Sequence, residues 1–163
     1  MTLLPPVTDL EQLKNREPLN ALLAWHADVV EGATFDRDEL TVEVRRDAIA
    51  DACKFLREQQ QFAFFSDVTC TDWYPSEPRF HVVYHLLSYT RKMRVRLKVK
   101  VAGDDASIPS ITPMWPAADY FEREVFDLFG VRFEGHPYLR RIQMPDDWEG
   151  HPLRKDYPVE GYR

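Results

Sequence analysis

The chain has 163 residues, of which 44% are hydrophobic and 13% aromatic, and its formal net charge is −6. This apolar content is too high for a disordered protein and suffices for one packed domain, with or without a long tail. The net negative charge argues against a general nucleic-acid binder, and two cysteines cannot build a disulfide framework, a structural zinc site or an iron–sulfur site.

The N-terminal region carries no recognisable targeting pattern. Residues 1–13 contain no cation and no long apolar run, so we expect no secretory signal. The longest uninterrupted apolar run covers only residues 21–25, whereas crossing a bilayer takes roughly 20 apolar residues. We therefore expect a cytosolic setting.

Two helical patterns open the chain. Residues 8–11 fit a capping box, in which Thr8 caps the helix and Glu11 follows three residues later. Pro18 interrupts this helix, and a second pattern with helical spacing follows it. Its members are Leu19, Leu22, Leu23 and His26.

Two strands and a longer helix come next. Residues 29–35 and 40–44 predict strands that a turn at residues 36–38 connects. Asp47 is placed to cap the following helix, because aspartate side chains accept hydrogen bonds from free amides at a helix start. The apolar stripe of this helix consists of Ile49, Ala52, Cys53 and Leu56.

The middle of the chain changes to the two-residue period of strands. Residues 62–71 and 80–87 are rich in aromatic and β-branched residues, and strict alternation starts at Lys92. Residues 91–101 carry six cations and no anion. A ribbon of cations can hold RNA, but interleaved aromatic residues are missing, so a solvated edge or an acidic protein partner is the favoured interpretation. The period places five cations on one face of the strand: Lys92, Arg94, Arg96, Lys98 and Lys100.

The order of these elements predicts the fold class. Hairpin-length connections favour antiparallel pairing, and the helices are expected to cover one face of the sheet. We predict an α+β fold, a two-layer α/β domain with a five-stranded, mainly antiparallel sheet in the order helix, two strands, helix, three strands. A further helix and an extended C-terminal tail follow. The predicted domain covers residues 1–130 and the tail residues 131–163.

The further helix is predicted over residues 117–129, with Gly130 as its C-terminal cap. Glu122 lies at the border of the apolar stripe, where a carboxylate needs a cation or several donors. Arg123 and Asp127 lie on the opposite face, where their spacing predicts an ion pair within the helix. We predict a buried ion pair for Glu122 that fixes the exit of the tail, with one of three partners: Arg140, Arg141 or Arg154.

The tail combines turn-forming residues with large apolar ones. Residues 130–163 hold four of the six glycines and four of the twelve prolines, together with about ten large apolar side chains. Ordering about 34 residues costs roughly 34–70 kcal/mol of backbone entropy. Burial of about ten large side chains returns roughly 15–30 kcal/mol. We therefore expect the tail to become ordered by lying across a partner protein.

Two other chemistries are weaker interpretations. His136 and His151, each followed by proline, could hold a metal with Glu122 or Glu124, but their spacing matches no metal-binding motif. The carboxylates of the helix could form an acid–base pair, but no nucleophile or phosphate-binding motif accompanies them. His81 and His85 share a sheet face, where hydrogen-bonded structural histidines are the favoured interpretation.

Three blocks carry a family resemblance. These are EREVFDLFG at residues 122–130, HPYLRRI at residues 136–142 and GHPLRKDYP at residues 150–158. In this order and spacing they resemble the C-type subunit, also described as the 30 kDa-type subunit, of proton-pumping NADH:quinone oxidoreductase, respiratory complex I. Upstream blocks also resemble the family: TCTDWYP at 69–75, RFHVVYHL at 79–86 and IPSITPMWP at 108–116.

The resemblance implies a structural subunit without an active site of its own. Such a subunit lies in the peripheral arm, on the cytoplasmic side of the bacterial inner membrane. It binds no flavin, iron–sulfur cluster, metal or quinone, whereas the complex uses NADH, FMN, iron–sulfur clusters and quinone. Its C-terminal segment wraps the large quinone-site subunit (the D-type subunit), so the chain is expected in a hetero-oligomer without nucleic acid. Its membrane association is indirect, through the complex.

The residues expected to position the tail and contact the partner follow from these blocks. On the helix they are Glu122, Arg123, Glu124 and Asp127. In the tail they are His136, Arg140, Arg141, His151, Arg154, Lys155 and Asp156. The alternatives are the equivalent subunit of a membrane-bound hydrogenase or another quinone-reducing dehydrogenase, a stand-alone metal hydrolase, and a nucleic-acid-binding module.

Overall fold

The computed structural model describes residues 5–161. Residues 1–4 of the predicted domain (1–130) and residues 162–163 of the predicted tail (131–163) therefore lie outside the described residues. Within them, the structure has four α-helices and seven β-strands. In order they are α1 (Leu10–Leu13), α2 (Leu19–Trp25), β1 (Val30–Asp36), β2 (Glu39–Val44), α3 (Ile49–Gln59), β3 (Phe64–Asp72), β4 (Phe80–Ser88), β5 (Met93–Val101), β6 (Ser107–Pro109), α4 (Ala118–Phe129) and β7 (Arg132–Glu134).

Five strands form one sheet with the spatial order β1-β2-β5-β4-β3. Neighbours run antiparallel except β2 and β5, which are parallel because α3 and the β3–β4 hairpin separate them in the chain. The predicted α+β fold class and the mainly antiparallel five-stranded sheet are confirmed.

The core lies between the sheet and the helices. Alternate residues of β4 and β5 are fully buried, among them Val82, Tyr84 and Leu97, as the two-residue period predicts. Phe65 of β3 stacks on Trp115 and meets Phe121 of α4 edge-on, which packs the last helix against the sheet. The other sheet face carries partly exposed polar side chains, so the fold has two layers.

Both predicted N-terminal helix caps are wrong. The side chain of Asp9, not Thr8, accepts the hydrogen bond at the start of α1, from the Glu11 amide at 3.0 Å. Asp47 lies inside a 3-10 turn that precedes α3, and its carboxylate accepts from Arg45 Nε at 2.6 Å. Because the arginine occupies this carboxylate, it does not cap α3.

The cationic strand is central in the sheet, so the predicted solvated edge is also wrong. Arg96 pairs with Glu39 at 2.5 Å. Lys98 and Lys100 both pair with Glu43, at 2.6 and 2.8 Å. Acidic residues of β2 therefore neutralise three of the five cations.

A second, two-stranded sheet joins the end of α4 to the domain. Strand β7 pairs in parallel with β6, so three residues of the predicted tail form regular structure, contrary to expectation. Among residues 5–161, no helix has the length and apolar composition that crossing a membrane requires.

Candidate functional site

The carboxylate of Asp127 binds the irregular segment that follows β7, residues 135–161, which is called the segment below. It is fully buried, and Oδ2 accepts hydrogen bonds from three consecutive amides, those of Ile142, Gln143 and Met144, at 3.0, 2.8 and 2.9 Å. Oδ1 accepts from Arg141 Nη1 at 2.6 Å. Burial alone would raise the pKa of Asp127, but these donors hold it below its ordinary value. The anion therefore organises residues 141–144.

Arg141, which binds Asp127, also binds main-chain groups further along the chain. Its Nη2 donates to the carbonyl oxygens of Trp148 and Gly150, both at 2.9 Å. His151 Nδ1 lies 2.9 Å from the carbonyl oxygen of Asp127, which requires the imidazole to be the donor. One buried carboxylate and one arginine thus fix two turns that have no regular structure.

Arg123 does not pair with Asp127, so the predicted ion pair within the helix is wrong. Its guanidinium donates to the carbonyl oxygens of Arg140 and Arg141, at 3.2 and 3.1 Å, and lies 3.7 Å from Asp119. The carboxylate of Asp127 is already saturated by the donors described above. Arg123 instead satisfies backbone acceptors of the segment.

His136 and Glu124 make local contacts with the same segment. The His136 side chain is fully buried, and its Nδ1 accepts from the Tyr138 amide at 3.0 Å. The other ring nitrogen lies 3.3 Å from the carbonyl oxygen of Asp119 and donates to it. Glu124 accepts from the side-chain amide of Gln143. Both residues therefore shape turns of the segment.

A second anchor lies at the end of the β3–β4 hairpin. Arg79 binds Asp72 through Nε and Nη2, at 2.9 and 2.7 Å, and binds Asp156 through Nη1 and Nη2, at 2.9 and 2.6 Å. Asp72 also accepts from the Lys155 amide at 2.8 Å. Sequence reasoning missed Asp72 and Arg79 as site residues. The available signal was an acid and a base at the two ends of a predicted hairpin, beside proline-rich turns.

Arg154 connects the second anchor to the end of α4. Its Nε donates to the carbonyl oxygen of Phe129 at 2.5 Å, and the Leu153 amide donates to that of Leu128 at 3.0 Å. These bonds satisfy carbonyl groups that a helix end leaves free. Gly130 ends the helix with a φ of 76°, as predicted for a C-terminal cap.

We expect Gly130→Ala to lower the free energy of unfolding by about 1–3 kcal/mol more than Gly135→Ala does. Both glycines have positive φ, 76° and 80°, so both substitutions strain the backbone. A Cβ on Gly130 would lie 2.5 Å from His151 Nε2, whereas one on Gly135 would meet nothing within 4 Å. Urea denaturation measures the difference, and equal losses would show that the docked segment adds nothing.

Glu122 is buried, but its predicted arginine partner is wrong. Its carboxylate accepts from the Ser110 hydroxyl at 2.6 Å and from the Ile111 amide at 2.7 Å. Burial raises the pKa of Glu122 to about 7, although these two donors oppose the shift. The loop before α4 thus supplies the donors, while the arginines of the segment bind elsewhere.

This pKa gives stability a defined dependence on pH. A carboxyl group whose pKa is 4.5 unfolded and about 7 folded stabilises the protein in acid. That stability falls by about 3 kcal/mol as pH rises from about 4.5 to 7. Glu122→Gln can keep both hydrogen bonds, because the Ser110 hydroxyl can also accept. We expect the variant to lose this dependence in urea unfolding near pH 5 and pH 8, and equal pH slopes would contradict the assignment.

Leu139 of the segment packs against the core, but four other large apolar side chains of the segment are exposed. Tyr138 and Leu153 are 56% and 52% exposed, and Ile142 and Trp148 are both 38% exposed. Tyr120 on α4 is also exposed, as are Trp73 and Tyr74 beside the second anchor. Polar contacts therefore hold the segment inward, while aromatic and aliphatic side chains remain on the surface.

The structure does not bring the candidate metal ligands together. His136 lies against Asp119, His151 against the Asp127 backbone, and Glu122 in the core. Within residues 5–161, no group of three or more histidine, cysteine or acidic side chains is arranged to hold a metal ion. Burial raises the pKa of both cysteine thiols.

A two-layer α+β domain with an irregular segment docked through polar anchors, and with aromatic side chains outward, defines a protein-interaction module. The comparisons specify which one. Residues 42–163 match the family described as respiratory-chain NADH dehydrogenase, 30 Kd subunit, and the chain belongs to this family. The predicted family is therefore confirmed.

Relatives and solved structures agree with this assignment. The chain is 48% identical to the C-type subunit of NADH-quinone oxidoreductase from Roseiflexus sp. strain RS-1, over 90% of this chain and 86% of the relative. It is 47% identical to the same subunit from Citrifermentans bemidjiense, over 91% and 92%. A trypsin-resistant fragment of Nqo5 matches 62% of this chain and 83% of the fragment, with 34% identity and a TM-score of 0.58. A chain of an archaeal respiratory membrane complex, the membrane-bound sulfane sulfur reductase, matches 90% of this chain and 86% of its own length, with 30% identity and a TM-score of 0.74.

Proposed function

We propose that this chain is a structural subunit of the peripheral arm of proton-translocating NADH:quinone oxidoreductase. It supports electron transfer from NADH through FMN and iron–sulfur clusters to quinone without binding these groups. It lies on the cytoplasmic side of the bacterial inner membrane and is attached to the membrane through the complex.

The observation that best supports this proposal is that the C-terminal segment binds the domain through polar groups and exposes large apolar side chains. Val131, Phe133 and Leu139 pack on the core. Beyond them, the segment contacts the domain through Asp127, Arg123 and Arg79, whereas its large apolar side chains Tyr138, Ile142, Trp148 and Leu153 are exposed. An exposed apolar group of this kind marks an interaction surface. Burial of each such side chain on a partner would contribute about 1.5–3 kcal/mol.

The chief partner in this proposal is the large quinone-site subunit, and residues 131–163 form the wrapping segment. Trp148 and Leu153 are the central contacts, because both are large, apolar and exposed.

The proposed lack of a cofactor rests on how the donor side chains are used. Both cysteines are buried in the apolar core. His136 and His151 are hydrogen-bonded to the segment or to α4. These side chains therefore have structural partners, as a scaffolding role requires.

Capture of the complex from gently solubilised membranes through a tag on this chain tests the proposal. The double variant Trp148→Ala, Leu153→Ala should recover at most about a tenth of the quinone-site subunit, because two contacts of about 1.5 kcal/mol or more are lost. The NADH:quinone rate per recovered FMN should stay unchanged. The matched control is Lys54→Ala, an exposed change on α3. Normal assembly with abolished turnover would refute the scaffolding role.

The equivalent subunit of another respiratory complex is a second candidate, since the archaeal sulfane sulfur reductase chain matches 90% of this chain. The same capture experiment distinguishes the two. Recovery of FMN and NADH-oxidising activity supports the NADH-linked complex, whereas their absence from an intact membrane complex supports the second candidate.

A further inference from the structure

The open face of the large sheet carries a groove that the C-terminal segment does not reach. A cavity of about 570 Å³ lies where β3 begins, β4 ends and β5 begins. Its rim is formed by Phe64, Leu87, Tyr89 and Arg94. The rings of Phe64 and Tyr89 meet edge-on with centroids 5.5 Å apart, yet they are 44% and 68% exposed. This volume is within the range of about 300–1,000 Å³ that binding sites occupy.

The groove extends beyond this cavity around the hairpin between β4 and β5. Neighbouring cavities of about 560 and 380 Å³ share Lys92 and Arg94 as lining residues. Three adjoining cavities that share lining residues suit an extended polypeptide segment better than one compact ligand. Arg94 lines all three cavities and so lies at their common centre.

Arg94 is available for an anion, whereas Arg96 in the same cavity is already paired. A row of polar side chains crosses four strands on this face, from Asp67 on β3 through His85 and Arg96 to Glu39 on β2. The distances are 2.6 Å from His85 to Asp67, 3.0 Å from Arg96 to His85 and 2.5 Å from Arg96 to Glu39. Within residues 5–161, Arg94 makes no such contact and is exposed. The row therefore engages Asp67 and Glu39. Asp38 lines two of the cavities beside Arg94, but no hydrogen bond or ion pair joins the two side chains in the described part of the chain.

We propose that this groove binds an extended segment of a partner protein that carries a carboxylate next to an aromatic or large aliphatic side chain. The carboxylate pairs with the planar fork of Arg94, which matches carboxylate geometry. The apolar side chain packs between Phe64, Leu87 and Tyr89. A nucleic-acid backbone is a poor occupant, because Glu39 and Asp67 line the same cavity and repel a polyanion.

The groove is distinct from the surface of the C-terminal segment. Strand β4 runs from Phe80, next to Arg79 of the second anchor, to Ser88 beside the groove. Nine residues of strand span about 26 Å between their end Cα positions. No described residue after Arg96 lines any of the three cavities. Both surfaces can be occupied together, so this proposal does not depend on the proposed role of the segment.

Titration of the ¹⁵N-labelled full chain with a defined peptide tests the proposal by NMR. The probe is an acetylated, amidated pentapeptide with a central phenylalanine, one glutamate beside it and serine at the other three positions. We expect amide shifts at residues 64, 87, 89 and 94, with a Kd of about 1 mM or tighter at low salt. The Arg94→Glu variant should weaken binding about tenfold or more. Tyr89→Ala should also weaken it, whereas Arg132→Glu, an exposed charge reversal on β7, should leave it unchanged.

Two comparison probes make the result specific. A peptide with glutamine in place of the glutamate should bind at least about tenfold more weakly, and an oligothymidylate should cause no shift at the groove. Equal binding of the glutamine peptide, binding confined to other surfaces, or stronger binding of the oligonucleotide at Arg94 would each overturn the proposal. So would the absence of shifts at saturating peptide in a chain whose spectrum is that of a folded protein.

Discussion

The Asp127→Ala substitution should speed amide hydrogen exchange at residues 141–151 by about a hundredfold to a thousandfold. Removing one side of a buried pair typically costs about 3–5 kcal/mol. Here the loss includes three amide hydrogen bonds and the only acid paired with Arg141 in the part of the chain described. Exchange measured by mass spectrometry or NMR on the purified chain reports this local opening.

The control for this prediction is Glu124→Ala on the same helix. Glu124 is partly exposed and accepts one hydrogen bond from the Gln143 side chain. Its removal should change exchange by no more than the equivalent of about 0.5 kcal/mol. Protection in the central strands β4 and β5 should survive both substitutions. Unchanged protection of residues 142–144 in Asp127→Ala would mean that Asp127 does not hold the segment.

The parts of the fold that follow from residue spacing were predictable. A strand that buries one face must alternate, and β5 does so over its whole length. A helix that packs on a sheet needs an apolar stripe, and α4 has one. Because burial selects side chains by face, sequence predicts which face points inward.

The partners of the buried charges were not predictable in the same way. Every residue except proline carries an amide, so a sequence cannot show that Asp127 accepts from three of them or that Glu122 accepts from Ile111. The prediction considered side-chain cations for Glu122, whereas a loop amide and a hydroxyl provide its donors. Of the two acids that bind Arg79, Asp72 lies seven residues away in sequence, whereas Asp156 lies 77 residues away, so spacing could indicate only the first pair.

This use of backbone donors and acceptors also explains how an irregular segment can dock on a small domain. Asp127, Arg123 and Arg141 bind main-chain groups of the segment. The apolar side chains at the same positions are then free to point outward. The sequence-based comparison of entropy with burial assumed that these side chains would pack on the domain. In the structure, buried polar anchors fix the segment, and Tyr138, Ile142, Trp148 and Leu153 are exposed.

We expect Arg79→Ala to lower the free energy of unfolding at neutral pH by about 3–5 kcal/mol. The substitution leaves Asp72, which is 7% exposed, without its cation and releases Asp156 from the second anchor. Arg79→Lys should recover only part of the loss, because an ammonium cannot form the two planar forks that bind both carboxylates. Urea denaturation of the full chain measures the three stabilities.

Arg46→Ala is the matched control, since Arg46 also joins distant parts of the chain through an aspartate. That pair is exposed, with 42% of the Arg46 side chain and 54% of the Asp105 side chain accessible. Its removal should cost no more than about 1 kcal/mol. Equal losses in the two arginine variants would show that burial of the second anchor has no special effect.

The pH dependence of Asp72 gives an independent test of the second anchor. Burial opposes ionisation, but Arg79 and the amides of Lys155 and Tyr74 lower the pKa of Asp72 from 3.8 to about 2. The lowered pKa of Asp72 stabilises the fold by about 2 kcal/mol above pH 3.8. This stabilisation is lost as pH falls toward 2. The difference in unfolding free energy between about pH 6 and pH 3 should therefore be smaller in Asp72→Asn than in the unsubstituted chain. Because Glu122 and the other carboxyl groups titrate in both proteins, their effects cancel in this comparison. An identical pH dependence would show that Asp72 is not the ionised centre of the anchor.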